Sequence, residues 1–232
     1  NEGPAYLGRA PQPVYSHRGG LYHTGDVLEV TLSVPSGCRV YYTLDNTDPG
    51  ESATPYAGPI RVTGTTVLRT KVYGEGYLES FMDTQSYLYD VNNGGGSVYV
   101  VSLVSDPYNL TSDEAGIMVK GPNAFKKPPY GAMNQGANFW MDWEREAHVE
   151  LINPDGSMMF SQECGIKLHG QYSRVEAQKA FKVIARSKYG SNRFQGEIFK
   201  GRPYTEYQSF LLRSSGQDCD KTRFRDAIMQ RL

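Results

Sequence analysis

The sequence predicts a mainly β protein in two parts, a β-sandwich followed by an α+β domain with a mainly antiparallel sheet. Three observations predict it. Short runs that alternate apolar and polar residues recur along the chain, each bounded by Gly, Pro, Asn or Asp. The 232 residues include 25 glycines, 13 prolines and 17 tyrosines, a composition of many turns and of side chains that suit strands. Finally, DVNNGGGS, residues 90–97, has the composition of a flexible connector rather than of any regular element.

A chain of this length can bury two cores. The expected division is an extension over 1–11, the sandwich over 12–91, a linker over 92–97 and the second domain over 98–232. Charge divides with it. Up to Asn92 there are six basic and ten acidic residues, a balance of -4, and from Asn93 onward 18 basic and 15 acidic, a balance of +3.

In the first part, DVLEVTLSV, CRVYYTL, PIRVTG and TVLRTKVYG read as strands of an antiparallel sandwich, and no helix of ordinary length fits there. LDNTDPGE closes a hairpin. Asp45 and Asp48 in that turn invite a calcium reading, but the alternating oxygen ligands and distant glutamate of an EF-type loop are missing, so an Asp/Asn turn is expected.

YYTLDNTDPGESATPYAGPIRVTGTTVLRTKVYGEGYLES resembles the small immunoglobulin-like domain at the C-terminal end of chitobiases and β-hexosaminidases, whose pattern runs YYTLDG-DP, Y-GPI, TT-LRA-A and G-S. The resemblance covers about residues 12–90. It implies an accessory domain of an exported, extracellular or cell-surface protein, and no reaction.

In the second part, SVYVVSLVSDP reads as a buried strand ending at a Pro turn, AHVELINPDGSMMF as a hairpin through PDG, and ECGIKLHG and QKAFKVIARSKYG as strands joined by GQYSRVEA. SFLLRSSG adds a strand, and KTRFRDAIMQRL opens a helix capped by Asp220 or Thr222. Residues 165–190 concentrate positive charge: six lysines and arginines, His169 and a single acid, Glu176. Alternation places Lys167 and His169 on the face opposite Ile166 and Leu168. Lys179 falls on the apolar face of its strand, where it either snorkels to water or meets an anion. Braced hairpins and a solvated lysine face would also account for the pattern.

VVSLVSDPYNLTSDEAGIMVKG, NFWMDWEREAHVELINPDG, GIKLHGQYSRVEAQKAFKVIARSKYG and SFLLRSSGQDCDKTRFRDAIMQRL resemble, in order, the N-terminal half of the CotH (spore coat protein H) kinase family, with its pieces L--D-NL-----GI-V-G, W---AHVE, GI--HG--SR---QKSFK, F-LRS-G-D and RDA. The family consists of atypical, secreted protein kinases that bind ATP with a divalent metal and phosphorylate serine on coat or surface proteins. The resemblance therefore implies a kinase-like first lobe, ATP and Mg as cofactors, and a surface or coat protein as partner. It also implies that the catalytic and metal-binding carboxylates lie beyond Leu232. Asp218, Asp220 and Asp226 fit turns and helix N-terminal positions instead, so this stretch alone is not expected to transfer phosphate.

A first lobe covers the nucleotide with a turn and sets a lysine against its phosphates. His169, Gly170, Ser173 and Arg174 in HGQYSR match that cover, with Lys179 as the phosphate lysine and Lys182 as its rival. Outside the resemblance the pattern is neither GxGxxG, Walker A nor V-A-I-K.

A different class of function is a non-catalytic surface module for glycan or protein, in which Trp140 and Trp143 stack on sugar rings if both are exposed on one face; otherwise they pack at the sheet edge. Glu144 and Glu146 are expected on a polar strand edge. His17, His23 and His148 lack zinc-ligand spacing. Cys38, Cys164 and Cys219 form no CxxC, leaving a Cys164–Cys219 bridge or buried thiols open. A pI near 6.5 argues against nucleic acid. No apolar run reaches a membrane span, and the N-terminus has no export signal, which, if made, is expected to have been removed.

Overall fold

The computed structural model of the chain describes residues 6–124 and 135–215. The predicted C-terminal helix, its caps and Cys219 lie outside the described residues. The protein is mainly β, as the alternating runs predict.

Nine strands precede the glycine-rich segment. They are β1 Val14–Tyr15, β2 Gly20–Tyr22, β3 Leu28–Val30, β4 Leu32–Ser33, β5 Cys38–Thr43, β6 Thr54–Pro55, β7 Ile60–Val62, β8 Thr66–Gly74 and β9 Asp83–Tyr89. The principal sheet runs β2-β9-β8-β5-β6, while β3 pairs with β7 and β1 with β4. Alternate residues turn inward to one core: Leu28 and Val30, Ile60 and Val62, Leu68 and Val72, with Tyr87. Burying such a side chain contributes roughly 1.5–3 kcal/mol, so these strands are fixed by what they pack against. Two details differ from expectation. DVLEVTLSV is two strands, because Thr31 leaves the ladder to exchange hydrogen bonds with Ser16. And β2 joins β9 in parallel, not antiparallel.

The segment DVNNGGGS is a turn held by its own asparagines, not a loose connector. The backbone N–H of Gly94 donates to Asn92 Oδ1 at 2.9 Å and that of Gly96 to Asn93 Oδ1 at 3.0 Å, while Asn93 Nδ2 reaches the carbonyl of Pro154 at 3.1 Å.

Beyond it come β10 Val100–Val104, the short helix α1 Pro107–Thr111, β11 Arg145–Ile152, β12 Met158–His169, β13 Ala180–Ile184, β14 Phe194–Gln195, β15 Glu206–Tyr207 and β16 Ser209–Leu212. The main sheet, β10-β11-β12-β13-β16, is antiparallel throughout. α1 starts on Pro107, with Asp106 as N-cap accepting from the Tyr108 N–H at 2.8 Å, a local signal for one helical turn. The PDG turn joins β11 to β12 as predicted: Gly156 takes φ 87° and Asp155 accepts from the Ser157 N–H at 2.9 Å. A second core gathers Ala147, Val149, Leu151, Cys164, Ile166, Leu168 and Val183 with Phe160, Phe194 and Phe210, whose rings contact one another.

Candidate functional site

β11 and β12 present opposite chemistries on their two faces. One face is the core. The other, by alternation, carries Glu146, His148 and Glu150 of β11 and Ser161, Glu163, Gly165, Lys167 and His169 of β12, with His148 opposite Glu163 and Glu150 opposite Ser161. One end of this polar face is covered by the sandwich, and the other end bears the basic residues.

At the covered end, polar groups meet polar groups. Glu163 Oε1 accepts from Thr84 Oγ1 of β9 at 3.0 Å and from His148 Nδ1 at 2.7 Å. Glu150 Oε1 accepts from the Ser86 N–H at 3.2 Å, and the hydroxyls of Ser86 and Ser102 lie 2.9 Å apart. His148 and Glu150 are only 3% and 0% exposed, so they are interior groups. Burial pushes the His148 imidazole down, but Glu163 and Glu150 outweigh it and raise the pKa to about 9, which makes it a buried cation between two carboxylates. Beside this cluster a cavity of about 220 Å³ opens, lined by Gln12, Arg18, Asp83 and Gln85 from the sandwich and by Gln162 and Glu163 from β12, among others.

At the other end the predicted residues separate into two groups. Gly170 has φ 102°, and a Cβ there would collide with Ser173 Oγ, so the turn depends on glycine. Arg174 Nε donates to the Gly170 carbonyl at 2.6 Å and Nη1 to that of Trp140 at 3.4 Å. Lys179 precedes β13 rather than lying in it. Its ammonium donates to the carbonyls of Arg174 and Glu176, both at 2.6 Å, and sits 4.7 Å from the Phe139 ring centroid. Burial, opposed by Glu176, lowers its pKa. Lys179 thus clamps the 170–179 loop, and neither snorkels nor faces an anion. Lys182, the rival, stands directly opposite Lys167. Among the described residues Lys182 makes no hydrogen bond or ion pair, whereas Lys167 is held by Asp142 at 2.7 Å. His169 is exposed at the end of β12; burial first, then the charges of Arg213, Arg174 and Lys182, keep its pKa below the usual imidazole value. Arg174, Lys182 and Arg213 therefore make one positive field around His169, with Lys167 beside them.

The remaining candidates have structural partners. Asp45 accepts from the Thr47 N–H at 3.0 Å and Asp48 pairs with buried Arg69 at 2.6 Å, so LDNTDPGE is an Asp turn pinned to β8. Trp140 and Trp143 are half-buried against the core, with the Arg145 guanidinium 4.6 Å from the Trp143 ring centroid; these are packing rings, not an exposed platform. Glu144 binds Arg186, Lys188 and Tyr189, and Glu146 is half-buried on the polar face of β11. Cys164 is a buried thiol. His23 lies 3.8 Å from Asp90, and no group of three His, Cys, Asp or Glu side chains among the described residues could hold a metal ion. No helix among them is long and apolar enough to cross a membrane.

Sequence reasoning missed the buried cluster. The signal was present in EREAHVE, where Glu146, His148 and Glu150 recur at every second position. A polar stripe on a strand reads as a solvated face unless one knows that another sheet covers it.

The fold and this arrangement define a class: a β-sandwich joined to a five-stranded antiparallel sheet with a basic edge. Residues 18–84 match the family model of the chitobiase/β-hexosaminidase C-terminal domain. No curated protein and no solved structure matches the chain.

Proposed function

We propose that the part following residue 97 is the sheet-rich first lobe of an atypical ATP-dependent protein kinase of the CotH type, an exported protein acting on surface or coat protein at the extracellular or cell-surface side. The observation that supports this reading is the cross-strand pair Lys167/Lys182. Like charges directly opposite one another destabilise a ladder; Asp142 pairs with Lys167 but not with Lys182, and Arg174 and Arg213 add to the field around Lys182 and His169. Such a concentration is suited to a polyanion such as the phosphates of a nucleotide. The phosphate lysine is then Lys182, while Lys179 and Arg174 shape the covering turn. The divalent metal that accompanies ATP in such kinases finds no ligand set among the described residues, and no step is assigned to it.

The test is calorimetric titration with ATP in the presence of magnesium. Lys182→Ala is expected to weaken binding by about tenfold or more, the loss of one charge-assisted phosphate contact. Binding that is absent at millimolar nucleotide, or that is unchanged in Lys182→Ala, would overturn the reading.

A further inference from the structure

The cavity between the sandwich and β12 lies apart from the basic edge, and its lining has a distinct character. Acceptors and donors both line it. Asp83 uses one carboxylate oxygen, Oδ1, to accept from Gln85 Nε2 at 2.8 Å, and Gln12 uses its amide nitrogen on the Met82 carbonyl at 3.0 Å, leaving Asp83 Oδ2 and Gln12 Oε1 as acceptors with no hydrogen bond among the described residues. Glu163, 5% exposed, also lines the cavity, with Oε1 spent on Thr84 and His148. Arg18 stands close enough for its charge to be felt by Asp83.

Charge excludes the simpler ligands. Asp83 and Glu163 would repel an anion. A bare cation would meet Arg18 and the imidazolium of His148. A neutral group that donates and accepts at adjacent positions satisfies both sets: its hydroxyls donate to Asp83 and Gln12 and accept from Arg18. The volume, about 220 Å³, is below the roughly 300–1,000 Å³ of sites for drug-sized ligands, so it suits one ring rather than a chain of them. We propose that this cavity is a binding site for a single neutral sugar ring or comparable cyclic polyol, held at the junction of the two parts.

The test uses the whole chain and four neutral monosaccharides separately: glucose, galactose, mannose and N-acetylglucosamine. Side-chain amide resonances of Gln12 and Gln85 are followed by NMR as each sugar is added. At least one sugar is expected to shift them saturably at millimolar concentration, and both Asp83→Asn and Gln12→Ala to weaken that binding about tenfold or more. Gln12 is exposed, so its variant keeps the fold, and Lys182→Ala should leave sugar binding unchanged while weakening nucleotide binding. No saturable shift with any of the four, or shifts that persist in both cavity variants, would overturn the proposal. Saturation by calcium chloride or by arginine in place of the sugars would overturn it in favour of a cation site.

Discussion

His148 donates its Nδ1–H to Glu163 Oε1 at 2.7 Å in the interior between the two sheets. Since β9 also donates to Glu163 and Glu150, this imidazolium holds together the acceptors on which the sandwich rests.

The first prediction is a pH dependence. The folded pKa of His148, about 9, is above the ordinary imidazole value of 6.5. The stabilisation is then complete below pH 6.5 and is lost as pH rises through 9, amounting to roughly 3 kcal/mol across that interval. Burial also raises the pKa values of Asp83 and Glu146, and their contribution is lost at lower pH, from the ordinary carboxylate range upward, outside the window set by His148. Urea midpoints should therefore fall between pH 6.5 and pH 9. His148→Gln should be less stable at pH 6.5 and show a flatter profile, and an unchanged slope in that variant would reject the assignment.

Gly19 gives a second prediction, this one steric. A Cβ at this position would meet Ser86 N at 2.7 Å, Ser86 O at 2.9 Å and Glu150 Oε1 at 2.9 Å. Two of these are backbone atoms of β9 and cannot step aside. Gly19→Ala should cost about 1–3 kcal/mol, the range for overpacking, and should weaken the Ser86–Glu150 contact. Thermal unfolding compared with Gly50→Ala, where nothing lies within 4 Å, separates this effect from glycine entropy.

These residues show where sequence reading succeeds and where it stops. The paired strands of the sandwich and the PDG hairpin were legible because alternation and turn chemistry are local signals. Lys179 was misread because its position on the apolar face does not tell that two carbonyls three and five residues back would take its ammonium. The basic stretch likewise looked uniform in sequence, but its cations have separate partners: Arg186 and Lys188 on Glu144, Lys167 on Asp142, Arg174 and Lys179 on carbonyls. Only long-range pairing distinguishes Lys182 from the others.

Glu144 and Gly165 form a coupled pair, which is the third prediction. A Cβ on Gly165 would sit 2.6 Å from Glu144 Oε1 and 2.9 Å from its Cγ. The carboxylate cannot move without leaving Arg186, which it binds at 2.6–2.9 Å, Lys188 at 3.2 Å and Tyr189 at 3.0 Å. Gly165→Ala and Glu144→Ala should each cost about 1–2 kcal/mol, and the double variant little more than either, because both break one network. Burial opposes ionisation of Glu144, yet Arg186, Lys188 and Tyr189 hold its pKa below the usual value, so its contribution is present above pH 4.5 and disappears as pH falls through the folded pKa. Additive costs in the double-mutant cycle would show that the clamp does not depend on Gly165.

The last prediction separates the two lysines. If Lys179 is a loop clamp, Lys179→Met keeps the stem over Phe139 but removes two charge-assisted hydrogen bonds, each of which contributes on the order of 1.5–3 kcal/mol at most. Hydrogen exchange should then quicken at Arg174 and Glu176, whose backbone N–H groups donate to Gln171 and Ser173. Lys182→Ala should do the reverse. Removing one of two facing lysines relieves repulsion, so stability should hold or rise by a few tenths of a kcal/mol, while affinity for inorganic tripolyphosphate falls. A loss of stability in Lys182→Ala with anion affinity intact would mean that the face is structural, and the phosphate reading would fall with it.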